Sequence, residues 1–384
     1  MAKKFIFFTQ SEMWLHDGTG IQELRSGFLE KYRRSTVEIE KRKEWKQSSD
    51  LKALRNIGVR TLPEAEGSGP PFRFMGGTFQ QDEIVYAIKV ENVGGMFRTG
   101  PGQKLEFEGH VAHYANVEFE GPHYQPQRDA LAFSQKKAGW EEHIHLKKFQ
   151  GNDSRQLTDG DSVDKFPKWD KDGENKIVYQ TSGIARDGSG RYLGTTPWAI
   201  NLIDLDKNEM DTVLSDQEHD YLAPIRHGGE IFFIRRPVAK PSSFSLGPVT
   251  DIFMLPIRIA GTLFHWMDFK SRQYQGKPLT GGDNPARNDL DLRQIEILGN
   301  LIKAGKRARK PGAKSRSLVP DSWQLVKQGK DGSLSVIRKG VIAFDIGVDG
   351  TVLYSTGDAV RWMGESGADE EVIQDAFVEK LFLD

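Results

Sequence analysis

The sequence lacks cysteine altogether, so it can form no disulfide bond, no thiolate zinc site and no cysteine nucleophile. It also lacks an excess of either charge, because 53 Lys and Arg nearly balance 54 Asp and Glu. A global field that would attract nucleic acid or an acidic lipid surface is therefore absent. What remains is 384 residues with 22 Phe, 9 Tyr and 8 Trp, enough to fill a sizeable β-rich core.

Long apolar runs are scarce. The run behind Met1 to Lys4 covers only Phe5 to Phe8, whereas the core of a signal peptide takes roughly 7 to 15 apolar residues. We therefore expect a cytoplasmic protein. The apolar stretch 251–268 contains Pro256 and is shorter, as an uninterrupted span, than the roughly 18 to 20 residues that cross a bilayer, so no transmembrane segment is expected.

Two enzyme motifs are missing as well. Gly67-Ser-Gly69 and Gly188-Ser-Gly190 do not stand at a strand-to-helix turn, where an α/β-hydrolase places its nucleophile. Gly281-Gly282 precedes no Lys-Ser or Lys-Thr pair, so the phosphate-binding loop is also missing. Both classes are excluded, and the sequence predicts no cofactor and no small-molecule substrate.

What the chain does contain is a repeated β pattern. Its clearest copy, 161–206, reads as an aromatic-Pro-x-Trp anchor, an Asp-rich turn, an apolar strand, a Gly/Ser loop and a second strand, and it predicts a four-stranded sheet. The apolar first strand recurs along the chain, which indicates a repeat architecture. Six such strands are found: Phe5–Gln10, Glu83–Ile88, Ala130–Ser134, Ile177–Tyr179, Glu230–Ile234 and Thr351–Ser355.

The anchor and turn of this copy resemble the blade signature P-x-W-S-P-D-G-x-x-I-x-F of the TolB-like, WD-repeat-like β-propellers. Pro167–Gly173 followed by Ile177–Tyr179 is a close match, and Ala223–Gly229 is a degenerate one. The resemblance implies an all-β fold, a six-bladed β-propeller over 1–384 as one domain, with helical insertions in the first and fifth blades. Because such a ring must close, strand Lys4–Phe8 is predicted to complete a blade shared with the C-terminal region.

Two segments break the strand rhythm. The first, 28–57, begins with a charged stretch that predicts an amphipathic helix, either solvated on the surface or docking a partner. The second, 238–320, contains the apolar helix 251–268, another predicted helix at Leu290–Ala304 and the basic run Lys303–Arg316. No aromatic residue is interleaved in the basic run to stack bases, so a nucleic-acid partner is not favoured.

The apolar helix 251–268 is the predicted binding element. Apolar residues cover more than half of its surface, which leaves three interpretations: a lid over the propeller, a docking surface for another protein, or, with the basic run, an interfacial membrane helix. On the docking interpretation, the partner-binding side chains are Phe253, Ile257, Phe264, Trp266 and Met267.

Histidine supplies the candidate metal site. His143-x-His145 places two imidazoles on one face of a strand, and His110 and His113 precede them. Propeller lyases that act on uronates hold a divalent metal with histidines, so the resemblance allows such a site here. No carboxylate stands at helical ligand spacing beside these residues.

The leading hypothesis from the sequence is a non-catalytic, cytoplasmic β-propeller that acts as a protein-interaction scaffold or regulatory subunit, since a propeller displays variable loops on a rigid ring. By resemblance, such propellers occur as accessory proteins of bacterial signalling and conflict systems, including CRISPR-associated ones. The alternative is a metal-dependent propeller enzyme, such as a polysaccharide lyase, that uses central histidines. The two differ in whether the four histidines converge on the axis.

Overall fold

The computed structural model describes residues 4–9, 12–39, 71–137, 139–149, 151, 154–238, 294–297, 300–303, 317–357, 359–364, 367–374 and 378–384. Strands dominate these residues. In the strand Met13–His16, for example, alternate side chains are buried, as expected when one face of a strand packs against a neighbouring sheet. The described residues also include one α-helix, α1, at 27–39, and short 3-10 turns at Leu105–Phe107 and Pro126–Arg128.

The strands are numbered in chain order. The first nine are β1 (Phe5–Phe8), β2 (Met13–His16), β3 (Ile21–Leu24), β4 (Phe72–Gln80), β5 (Glu83–Val90), β6 (Val93–Thr99), β7 (Gly109–Ala115), β8 (Glu118–Gln125) and β9 (Ala130–Lys136). The next nine are β10 (Glu142–Lys148), β11 (Ser154–Gln156), β12 (Ser162–Trp169), β13 (Lys176–Arg186), β14 (Tyr192–Thr195), β15 (Ala199–Asp204), β16 (Glu209–Leu214), β17 (His219–His227) and β18 (Glu230–Pro237). The last nine are β19 (Gln294–Ile297), β20 (Asn300–Lys303), β21 (Gln324–Gln328), β22 (Leu334–Lys339), β23 (Ala343–Ile346), β24 (Val352–Ser355), β25 (Ala359–Met363), β26 (Asp369–Gln374) and β27 (Lys380–Leu383).

Apart from β14 and the two-stranded sheet β19-β20, the described strands form six four-stranded units. Four are separate sheets, with the orders β27-β1-β2-β3, β4-β5-β6-β7, β17-β18-β21-β22 and β23-β24-β25-β26. The other two, β8-β9-β10-β11 and β12-β13-β15-β16, are joined into one nine-stranded sheet with β14, through a single parallel pairing of Glu142 with Val163. Within each unit the neighbouring strands are antiparallel.

One strand of each unit faces a common axis. The inner strands contact one another in the order β4, β8, β12, β17, β23 and β27, and β27 returns to β4. This ring of sheets is a β-propeller, as the sequence predicts, and the six units fit the expected six blades.

The ring closes through the two ends of the chain. Strand β1 pairs with β27, from Phe5 opposite Leu383 to Phe8 opposite Lys380. The predicted closure is therefore confirmed. The four side chains of β1 are buried, so this blade joins the chain ends by apolar packing as well as by backbone hydrogen bonds.

Packing between blades explains the signature tryptophan. Trp169, at the end of β12, is fully buried in a cluster with Ala132 and Ile144 of the preceding blade and Ile177 of its own. Its side chain thus fills the wedge between two neighbouring sheets, where a large aromatic residue removes much apolar surface from water.

Helix α1 follows β3 and packs on the second sheet. Ser26 Oγ accepts the Leu29 N–H at 3.1 Å, so Ser26 is the N-cap of this helix. Glu108 accepts two further N–H groups of the first turn, and Phe28 packs against the apolar cluster beneath. Residues 40–57 of the predicted segment lie outside the described residues.

The second insertion interrupts one blade, because the chain leaves β18 and re-enters the same sheet as β21. The apolar segment 251–268 lies outside the described residues. At Leu290–Ala304 the predicted helix is wrong, since β19 and β20 form an antiparallel hairpin there. The alternating, β-branched run Gln294-Ile-Glu-Ile297 and the following Gly299 favour a hairpin over a helix. Among the described helical residues, no helix is long and apolar enough to cross a membrane.

Candidate functional site in the axial channel

Four neighbouring inner strands carry a bulge at the same level. The register shifts in β4, β8, β12 and β17, and each bulge contains a residue of positive φ: Gly76 (124°), Gly121 (58°), Phe166 (51°) and Ala223 (50°). The inner strands approach closely here, because a Cβ added to Gly121 would lie 3.2 Å from Phe166 Cα. Bulges re-aim the side chains that follow them and occur often beside functional sites.

The bulge in β12 directs three lysines of one segment toward the axis. Lys165 Nζ lies 2.7 Å from Glu120 Oε2 on the adjacent β8, and Lys171 Nζ lies 3.3 Å from Asp345 Oδ1 on β23, two places round the ring. Between them, Lys168 Nζ lies 4.4 Å from the ring centroid of Phe382 on β27, the opposite inner strand. The three side chains therefore reach into or across the axial channel.

Before the bulges, the axial charges pair with one another. This paired cluster consists of Glu120, Glu142, Lys165 and Lys380. Lys165 Nζ lies 3.2 Å from Glu142 Oε2 in addition to its bond with Glu120, and Lys380 Nζ lies 3.7 Å from Glu120 Oε1. The cluster thus joins three inner strands, β8, β12 and β27, with the start of β10.

Burial and charge shift the pKa values of the paired cluster in opposite directions. Burial alone would raise the pKa of Glu120, but the ammonium groups of Lys165 and Lys380 lower it to about 2. Burial raises the pKa of Glu142 to about 6, against the attraction of Lys165, and the charge of Glu120 adds to the rise. The pKa of Glu120 is therefore lowered by its two lysine partners, whereas burial raises the pKa of Glu142 above its ordinary value.

Beyond the bulges lies the Lys168 cluster, formed by Lys168, Lys171 and Asp345. Asp345 is buried and accepts the backbone N–H of Leu383 at 2.9 Å and of Ile346 at 2.7 Å, besides its ion pair with Lys171. Lys168 Nζ is buried without a hydrogen-bond partner among the described residues. Burial lowers the pKa of Lys168 to about 8, because Lys171 adds to the effect and Asp345 only partly opposes it.

Side-chain acceptors tie consecutive inner strands together along the same channel. Thr78 Oγ1 accepts the Tyr124 N–H at 3.2 Å, and His123 Nδ1 accepts the Trp169 N–H at 3.0 Å. Burial, with the nearby positive charges of the Lys168 cluster, holds the pKa of His123 well below its usual range. His123 is therefore neutral at pH 7, as an acceptor at Nδ1 must be.

The four histidines of the candidate metal site lie on strands other than the inner ones. His110 and His113 lie on β7, with ring centroids 6.0 Å apart, and His143 and His145 lie on β10 of the next unit. His143 Nδ1 lies 3.7 Å from Asp164 Oδ2 on β12. No group of three or more His, Asp or Glu side chains that could hold a metal ion occurs in the described part of the chain.

The predicted docking side chains cannot be placed in the same way. These residues lie outside the described part of the chain: Phe253, Ile257, Phe264, Trp266 and Met267.

The sequence does carry a signal for the axial site that pattern analysis passes over. Lys165, Lys168 and Lys171 recur at every third position through the blade signature, next to the buried Trp169. A strand that buries its neighbours and still carries lysines must give those ammonium groups a partner or a function. The spacing shows that lysines stand in a strand with buried neighbours. It does not show the bulge or the partners on distant strands.

No protein-family model matches the sequence, and no curated protein matches it. Among solved structures, TolB from Acinetobacter baumannii has a TM-score of 0.49 at 9% identity, covering 99% of this chain and 66% of that one. A putative TolB from Agrobacterium tumefaciens has a TM-score of 0.43 at 13% identity, covering 81% of this chain and 84% of that one.

An oligogalacturonate lyase in complex with manganese has a TM-score of 0.38 at 10% identity, covering 76% of this chain and 61% of that one. The match spans 66% of the length of the TolB structure from Acinetobacter baumannii. At such identities the likeness concerns the fold alone. The propeller assignment rests on the chain's own ring of sheets.

Proposed function

We propose that this protein is a non-catalytic β-propeller that binds another protein in the cytoplasm, as a scaffold or as a regulatory subunit of a complex. The observation that carries this proposal is the paired cluster. Its ion pairs connect inner strands of different blades, and they satisfy Glu120, Lys165 and Lys380 within the protein. Ion pairs between blades stabilise the arrangement of the ring. The residues on its outer surface can then differ without loss of the fold.

The outer strands offer contact positions. Exposed large apolar side chains lie on strands β3, β7, β16 and β22, each the outermost strand of its unit. An outermost strand has a free edge, and apolar side chains beside it lose more water on association than polar ones do. These side chains are Ile21, Tyr114, Met210, Leu334 and Val336.

The insertion between β18 and β21 supplies the second reason. It leaves and re-enters one blade, so a long addition does not interrupt the ring. Its sequence contains the apolar stretch 251–268, which stays the predicted docking element. Loops added to a rigid scaffold are common carriers of binding function.

An affinity comparison tests this proposal. The full chain is compared with a variant in which Val249–Tyr274 is replaced by a Gly/Ser linker of equal length, each used to capture proteins from a lysate. A matched control replaces the polar stretch Gly276–Asn288 in the same insertion. We expect one protein to co-purify in a fixed ratio with the full chain and with the control. The same protein should not co-purify with the first variant.

The bound protein is then purified and its binding reconstituted with the full chain. Circular dichroism and thermal unfolding show whether each variant keeps its ring. The proposal is refuted if both replacements, still folded, recover the same proteins as the full chain does.

A further inference from the structure

Two blades use the same device to hold the next inner strand. The residue two positions after the bulge residue accepts a backbone N–H from the following blade: Thr78 follows Gly76 in β4, and His123 follows Gly121 in β8. In both cases a buried side chain with a lone pair satisfies a buried donor, which is the usual requirement in a protein interior.

Lys168 occupies the same position in β12, two residues after Phe166. A lysine ammonium has three donors and no acceptor, so Lys168 cannot act as Thr78 and His123 do. Its side chain instead crosses the channel to the face of Phe382. In β12 a charged group that points at the axis therefore takes the position of the acceptor.

The axial charges confirm that Lys168 differs from the other lysines. Lys165 and Lys380 have carboxylates of the paired cluster, and Lys171 has Asp345. Lys168 is only 7% exposed, yet no acceptor bonds its Nζ in the described part of the chain. The aromatic face is a weak substitute for a counter-charge, because a cation over a ring gains far less than a buried ion pair.

We propose that Lys168 is the binding group of an axial site for a small oxyanion, a carboxylate or inorganic phosphate, on the far side of the bulges from the paired cluster. Lys168, Lys171 and Asp345 together carry one net positive charge, which matches one anionic oxygen. Asp345 does not supply the missing acceptor for Lys168, because its oxygens already bind Lys171 and two backbone N–H groups. The oxyanion supplies the acceptor that Lys168 lacks.

The ionisation of the site agrees with this assignment. The groups that act on Lys168 are Asp345 on β23 and Lys171, which follows β12, while His123 on β8 responds to both lysines and stays neutral. With a pKa of about 8, Lys168 is charged at pH 7. Oxyanion binding should therefore hold at pH 7 and weaken as the pH rises above 8.

The test uses the isolated full chain, so it does not depend on the proposed protein partner. Sodium acetate and sodium phosphate are titrated separately at pH 7, with sodium chloride holding the ionic strength constant, and binding is followed by calorimetry and by the thermal midpoint. We expect saturable binding of at least one anion, with a midpoint that rises with its concentration. The arm that responds identifies the ligand as a carboxylate or a phosphate.

Lys168→Met keeps the length of the side chain and removes its charge, and it should weaken binding at least tenfold. Lys168→Gln is the second neutral variant in case the first misfolds. The matched control is Lys380→Met, because Lys380 is equally buried but has a carboxylate partner, and exposed Lys330→Met controls for surface binding. Both controls should bind as the wild type does.

Equal anion responses in the wild type and the Lys168 variants would overturn the proposal, since they would indicate an adventitious ion only. Failure of the wild type to respond to either anion at pH 7 would overturn it as well.

Discussion

Lys380 and Lys168 lie on opposite sides of one axial channel and differ in a single respect. Each is 7% exposed, and burial lowers the pKa of each to about 8. Lys380 Nζ has Glu120 Oε1 at 3.7 Å and donates to the Phe74 carbonyl at 3.4 Å, whereas Lys168 Nζ has no hydrogen-bond acceptor among the described residues and lies 4.4 Å from the ring centroid of Phe382. A lowered pKa therefore does not by itself mark a functional lysine. The difference lies in the partner of each ammonium group: Lys380 has a carboxylate and stabilises the ring, whereas Lys168 is the proposed binding group.

The comparison also separates what holds the ring from what the ring can do. Lys380 opens the last strand, β27, so its pairing with Glu120 on β8 connects the closing blade to the rest of the channel. The Lys168 cluster contains one such pairing, between Lys171 and Asp345, and one charge left over. We infer that stability resides mainly in the first cluster and binding capacity in the second.

The largest effect is expected from removing the strand that positions Lys380. Deleting residues 1–10 removes β1, the pairing partner of β27, together with four buried side chains. The ring then has two open sheet edges, and we expect loss of soluble, monomeric protein. Soluble expression and size-exclusion chromatography measure this. Deletion of residues 1–3 keeps β1 and is the control, and a folded monomer from the longer deletion would contradict ring closure.

The next largest effect concerns the carboxylate that two lysines share. Glu120→Gln leaves Lys165 with Glu142 alone and leaves Lys380 without its carboxylate partner. Removing one member of a buried ion pair costs about 3–5 kcal/mol. Urea unfolding at pH 7 should show a loss of this size, while Glu106→Gln at an exposed position should change stability by less than about 0.5 kcal/mol. A neutral result at Glu120 would remove the distinction between the two clusters.

A smaller, pH-dependent effect is expected at His123. Its folded pKa lies well below the unfolded value, so its contribution to stability is present above pH 6.5 and is lost as the pH falls below that. His123→Gln keeps an acceptor for the Trp169 N–H without a titrating group. The variant should match the wild type at pH 7.5 and lose about 1–2 kcal/mol less between pH 6.5 and 5. Parallel stability curves for the two proteins would show that His123 does not ionise differently on folding.

The fold could be predicted from the sequence because it depends on local patterns. Apolar strand starts, Asp-Gly turns and the Pro167–Gly173 signature recur in order, and the propeller fold is confirmed. The helix predicted at Leu290–Ala304 is wrong, because its apolar residues fit either period and the β-branched alternation in Gln294–Ile297 favours a strand. Local sequence patterns therefore predict the strands of the blades better than they predict the structure of an insertion.

The axial site could not be predicted in the same way. Glu120, Lys165 and Lys380 are far apart in sequence and meet only because the blades are arranged around an axis. The bulge at Phe166, which turns Lys165 and Lys168 toward the channel, depends on a backbone conformation that is rare for phenylalanine. Histidine is a common metal ligand, so the sequence favours the four histidines as a candidate site. The sequence does not show which residues face the axis, and these histidines lie on other strands.

The most direct test of the contrast between the two clusters is to measure the unfolding free energies of Lys380→Met and Lys168→Met side by side at pH 7 in the absence of oxyanions. Lys380→Met should lose about 2 kcal/mol, since Glu120 keeps Lys165 but loses its second cation. Lys168→Met should lose nothing or gain up to about 1 kcal/mol, because it removes a buried ammonium that has no hydrogen-bond partner in the described residues and that Asp345, already paired with Lys171, compensates only in part. Equal losses in the two variants would contradict the account, since Lys168 would then be a structural brace like Lys380.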